Sequence, residues 1–178
     1  MAEQPTSFHQ LWRKLGTERK RAAAAALVAN RTQQALAANV IAMRLKFRPH
    51  KAAQLPPEKK ASYIAGMDTL DEGLAGALVR DYLFSQQRPM LSRFLDTLGV
   101  PHKNGQIDEE ADVPKPTPEA LRTALSTIRG EFDPEEVSIY TSALSISDPD
   151  FWGELKTIAA EPAGEPVAEP PSGEAQAS

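Results

Sequence analysis

Cysteine is absent from the 178 residues, which excludes a disulfide framework, thiolate zinc sites, iron–sulfur clusters and a cysteine nucleophile. Stability then rests on packing. The sequence also lacks any run of about 18 apolar residues, and residues 1–10 show no charged-then-apolar signal region, so neither membrane spanning nor secretion is expected and a cytoplasmic location is the default. The most apolar stretch, 22–29, is largely alanine and reads as a closely packed helix. Histidine is scarce. His9, His50 and His102 stand far apart, without the H-x-x-x-H or H-E-x-x-H spacing that puts two imidazoles on one helix face around zinc.

Other chemical signatures are missing too. Gly73 and Gly76 have neither a preceding strand nor a Gly-Lys-Ser/Thr ending, so close helix packing explains them better than a phosphate loop. Ser142 and Ser145 lack the G-x-S-x-G setting of an activated nucleophile. Asp68, Asp71 and Glu72, like Asp133, Glu135 and Glu136, fall at helix starts, where the N-terminal dipole already accounts for acids. Asp108, Glu109, Glu110 and Asp112 lack the spaced order of a calcium loop. The expectation is therefore a chain that is not an enzyme and holds no cofactor or metal.

What is present is a sharp division of charge. Residues 1–65 carry twelve Lys/Arg against Glu3, Glu18 and Glu58, whereas residues 66–178 carry eight against twenty-one acids, a dipole hidden inside a net charge of -4. The apolar fraction of 41% and charged fraction of 25% are ordinary globular values, and the length suits one domain.

Helix signals punctuate nearly the whole chain. Ser7 caps a stripe of Phe8, Leu11, Trp12 and Leu15, and Gly16 breaks it before a second helix that runs through the alanines to Asn30. The stripe beside Arg13 and Lys14 could also lie at a membrane surface, although core helices carry the same pattern far more often. A broad apolar face follows at Leu36, Val40 and Met43 with Ala37, Ile41 and Leu45, ending near Phe47 because Pro49 disfavours helix at Arg48. Residues 48–57 read as a linker or crossing loop, and Pro57 opens a helix to Ala65. Thr69 and Glu72 have capping-box spacing before a helix to Gln86, and Pro89 opens another that Gly99 closes.

Residues 100–116 form a long connection of turn residues, either mobile or functional. Three starts with a capping side chain followed by proline then recur at Thr117-Pro118, Asp133-Pro134 and Asp148-Pro149. No fixed repeat links them. The prediction is an all-α fold, a compact orthogonal bundle of about six to eight helices, with a short helical-repeat array as the alternative, in one domain, 1–160, whose residues 1–65 are basic and residues 66–160 acidic. Residues 161–178, rich in Pro, Ala and Glu, are expected to be a disordered tail.

The candidate site is the cation set Arg13, Lys14, Arg19, Lys20, Arg21, Arg31, Arg44, Lys46, Arg48, Lys51, Lys59 and Lys60. If Gly16 ends the preceding helix, Arg19, Lys20 and Arg21 fall in a first turn, an electrostatically poor location, so the cluster either belongs to a continuous helix or has a partner. The primary reading is a non-catalytic interaction module contacting an anionic protein surface, which could be the acidic half of another copy. Nucleic acid is the alternative partner, weakened by the lack of aromatics interleaved with these bases and by the acidic overall balance. Neutralisation by acids of the same chain competes with both readings.

Overall fold

The computed structural model describes residues 4–108 and 110–161; the expected tail lies outside them, apart from Glu161. Helix α1 spans Phe8–Lys14, α2 Thr17–Ala29, α3 Gln34–Leu45, α4 Pro49–Gln54, α5 Pro57–Ala65, α6 Glu72–Gln86, α7 Arg88–Leu98, α8 Pro118–Glu131, α9 Pro134–Ser147 and α10 Pro149–Ala160. A single 3₁₀ turn, Arg31–Gln33, joins α2 to α3. The fold is an all-α bundle, as the periodicity predicts.

Local chemistry sets most boundaries. Ser7 accepts a hydrogen bond from the Gln10 backbone N–H, Thr117 from Ala120, Asp133 from Glu135 and Glu136, and Asp148 from Phe151. Each satisfies donors orphaned at a helix start. Gly16 does separate α1 from α2, and Gly99 ends α7 in the left-handed region at φ +67°, where a side chain would be strained.

Three expectations need correction. Residues 49–54 form α4 instead of a crossing loop. Pro49 holds Arg48 extended, as expected, but proline is also well suited to a helix's first turn, and Lys51-Ala52-Ala53-Gln54 has good helix propensity. Helix α6 is capped by Asp71, which accepts from the Leu74 N–H, so the Thr69–Glu72 capping box does not form. Glu72 instead caps a different helix: its carboxylate accepts from the backbone N–H groups of Phe8 at 2.6 Å and His9 at 3.0 Å at the start of α1.

The long connection after α7 contains a short antiparallel pair, β1 His102–Lys103 with β2 Gln106–Ile107. Asn104 and Gly105 have φ values of +52° and +84°, the two successive positive angles of a tight hairpin turn. A Cβ on Gly105 would sit 2.6 Å from the Leu91 Cβ, so glycine lets the hairpin lie directly on α7.

One contiguous core draws side chains from α1 through α10, including Trp12, Leu27, Ile41, Ile64, Leu78, Phe94, Leu125 and Trp152. The Phe8–Leu15 stripe belongs to it, since Leu11, Trp12 and Leu15 are buried, which removes them from any membrane surface. Phe8 also packs on Gly76, where a Cβ would approach its ring to 3.1 Å. Close packing thus accounts for Gly76, but not for exposed Gly73.

Helix α2 ties the basic and acidic segments together by packing on both α5 and α6. Helix α3 packs on α2, α4 and α5, and α4 packs chiefly on α3. Residues 34–65 therefore form a lobe attached to the rest largely through α2.

Candidate anionic-partner surface

The fold separates the twelve predicted cations: four are bonded within the chain, six are exposed without partners among the described residues, and Arg13 and Lys14 lie apart on α1. Of those in the first turns of α2, Arg19 and Lys20 are bonded to the acidic segment and Arg21 to Glu18 of its own helix. Arg19 lies across the N-terminus of α9, with Nε 2.7 Å from Glu136 Oε1, Nη1 2.9 Å from Glu135 Oε2 and Nη2 3.8 Å from Asp133 Oδ1. Tyr82 on α6 donates to the same Glu136 oxygen at 2.8 Å. The acids that stabilise the first turn of α9 thereby also hold a guanidinium from α2. Bonding to Glu136, reinforced by the charges of Glu136 and Glu135, raises the Arg19 pKa against the opposing effect of burial. Burial pushes the Tyr82 hydroxyl upward as well, and its bond to Glu136 adds to the shift.

Lys20 is also engaged. Its Nζ lies 3.0 Å from Asp68 Oδ1 and 5.5 Å from the centroid of the Trp12 ring, so one ammonium meets a carboxylate and an aromatic face. Trp12 itself is fixed by donating from Nε1 to the Met67 carbonyl at 2.8 Å. Arg21 pairs with Glu18 at 2.8 Å on an exposed face, and Lys60 donates to the Ala53 carbonyl at 2.8 Å, fastening α5 to the end of α4. The partner that the first-turn cations of α2 demand is therefore the chain's own acids.

The second group is different. Arg31, Arg44, Lys46, Arg48, Lys51 and Lys59 are exposed and carry no ion pair or side-chain hydrogen bond among the described residues. Arg13 is exposed on α1, apart from this lobe in sequence, and Lys14 is exposed beside it. Between Arg19 and Ala65 the only acid is Glu58, so a single carboxylate stands in sequence against the six unpaired cations of this stretch. Arg44 and Lys46 stand at the C-terminal end of α3, where cations also favour the helix dipole.

No family model, curated protein or solved structure matches this chain. The site rests on its own geometry, and that geometry adds a feature the charge pattern does not reveal. The exposed large apolar residues of the described chain are Leu36, Met43, Leu45 and Tyr63, all within the lobe that carries the unpaired cations. Met43 is 78% exposed, far more than a core-facing methionine. Tyr63 meets Phe47 with ring centroids 5.8 Å apart, so α5 touches the segment that follows α3. The apolar face of α3 is broader than its neighbours cover: Ala37, Val40 and Ile41 are buried while Leu36, Met43 and Leu45 are not.

A shallow depression of about 400 Å³ is lined by Glu18, Arg19, Tyr82, Gln86, Gln87 and Glu136, but Glu136 there already accepts from both Arg19 and Tyr82. Among the described residues, no group of three or more His, Asp or Glu side chains is placed to hold a metal ion. No described helix is long and apolar enough to cross a membrane.

Proposed function

We propose that this chain is a non-catalytic interaction module that docks an anionic protein through the lobe formed by α3, α4 and α5. The observation that carries this reading is the coincidence of unpaired cations and exposed apolar side chains on the same lobe. A solvated charged face needs no exposed methionine or leucine, and clustered exposed apolar residues rimmed by polar ones mark interaction surfaces. The cations speed encounter and set orientation, while the apolar side chains, once covered, supply the favourable burial. Arg19, Lys20, Arg21 and Lys60 leave the proposed contact set because acids or carbonyls of the same chain hold them.

An exposed methionine also weighs against phosphate as the principal ligand, since backbone phosphates offer it nothing to pack on. The cytoplasmic location expected from the sequence belongs to the same proposal. Affinity capture with the tagged full chain tests the function. A protein retained after nuclease treatment and released by moderate salt is the expected result; capture abolished by nuclease would assign the surface to nucleic acid and overturn the proposal.

A further inference from the structure

The outer face of α3 has a shape that narrows the partner's chemistry. Leu36, Asn39 and Met43 stand at i, i+3 and i+7, forming an exposed stripe about 10 Å long at 1.5 Å rise per residue, opposite the buried Ala37 and Ile41. Exposed Ala35 lies beside it. Arg31 precedes the stripe, and Arg44 and Lys46 stand at its far end, all without partners among the described residues.

Resting on the reading of this lobe as an anionic-protein surface, we propose that the stripe seats one amphipathic, acidic helix of a partner protein. Two large apolar side chains stand on either side of the shorter Asn39, with Ala35 leaving a low position alongside, a relief that another helix can approach closely in ridges-into-grooves packing. Met43 can repack to fit its occupant because its side chain is flexible and polarisable. The Asn39 amide, which can both donate and accept, fixes the register of the seated helix through one polar contact at the centre of the stripe. Carboxylates flanking the partner's apolar stripe would meet Arg31 at one end and Arg44 and Lys46 at the other. A lipid surface is a poorer match, because hydrocarbon gives the central Asn39 amide no hydrogen-bond partner and the exposed aromatic, Tyr63, is packed against Phe47. The same stripe on a second copy would set cations against cations at both ends, whichever way the two helices run, and these repel.

Display selection tests this directly. A library of random 20-residue peptides is panned against the full chain, with Met43→Glu and Arg44→Glu/Lys46→Glu variants as comparators and vesicles containing phosphatidylserine as a separate arm. Circular dichroism of each variant is the fold control, with wild-type helicity expected because all three positions are exposed. The expected winners combine apolar residues at three- and four-residue intervals with flanking Asp/Glu, gain helicity on binding, and lose about tenfold or more in affinity to either variant. Acidic winners without apolar periodicity, unaffected by Met43→Glu, would overturn the helix seat and leave the anionic-protein reading standing. Winners without acidic enrichment would overturn both, and tighter binding to the vesicles than to every selected peptide would assign the face to lipid.

Discussion

Arg19→Met should be among the most damaging single changes on the exposed side of this protein. Its side chain is 23% exposed and that of Glu136 10% exposed, so removing the cation leaves a largely buried carboxylate whose Oε2 already has no hydrogen-bond partner. Loss of one member of a buried pair costs about 3–5 kcal/mol. Partial hydration of Arg19 and the surviving Tyr82 hydroxyl donor reduce that to about 2–4 kcal/mol. The control is Arg21→Met, which breaks a pair whose members are 65% and 86% exposed and should cost about 0–1 kcal/mol. Urea unfolding followed by far-ultraviolet circular dichroism measures both. Adding Glu136→Gln to Arg19→Met should recover part of the loss, because the unpaired charge is removed while Tyr82 keeps an acceptor. A cost for Arg19→Met below about 1 kcal/mol, or strict additivity of the two substitutions, would refute the view that this network holds α2, α6 and α9 together.

Two further outcomes concern glycine and pH. Gly105→Ala should cost about 2–4 kcal/mol, combining the positive φ with collision against Leu91, whereas Gly99→Ala, with open space around it, should cost only about 1–2 kcal/mol by chemical denaturation. Burial raises the Asp81 pKa above its ordinary 3.8, opposed by a hydrogen bond from Asn30 and the charge of Arg80. The folded state then holds the proton more tightly than the unfolded state, so ionised Asp81 subtracts stability, fully above its folded pKa and progressively less as pH falls toward the unfolded value. Asp81→Asn should therefore gain relative to wild type as pH rises through the carboxylate range, read as a widening melting-temperature difference; a constant difference would contradict this assignment.

The architecture was largely legible in the sequence because its helix starts are written in side chains that act locally. Thr117, Asp133 and Asp148 cap the helices they precede, and Gly16 and Gly99 stop those before them. Misreadings came where a local signal had a tertiary use or was outweighed. Glu72 sits three residues after Thr69 yet caps α1, 63 and 64 residues away in sequence. Pro49 both interrupts one helix and begins another. The Asn104-Gly105 dipeptide was the available signal for a hairpin, but strands of two residues each are too short to show alternation.

The candidate site was legible only in outline. Charge segregation marked residues 1–65, but which cations stay unpaired depends on what α2 faces, and no sequence spacing brings Arg19 to Glu136. The one hint of the apolar component was the excess width of the α3 face, with Leu36 and Leu45 flanking the positions that become buried. Periodicity reveals that width without revealing which portion of it the core leaves uncovered.

The most direct test of the lobe as the docking surface is quantitative capture after nuclease treatment by two charge variants side by side. Arg44→Glu/Arg48→Glu/Lys51→Glu should retain wild-type helicity and lose about tenfold or more of the bound partner, while Lys20→Gln/Arg21→Gln should hold nearly all of it. Equal retention by the two variants, or loss confined to the second, would contradict the assignment of the surface to α3, α4 and α5.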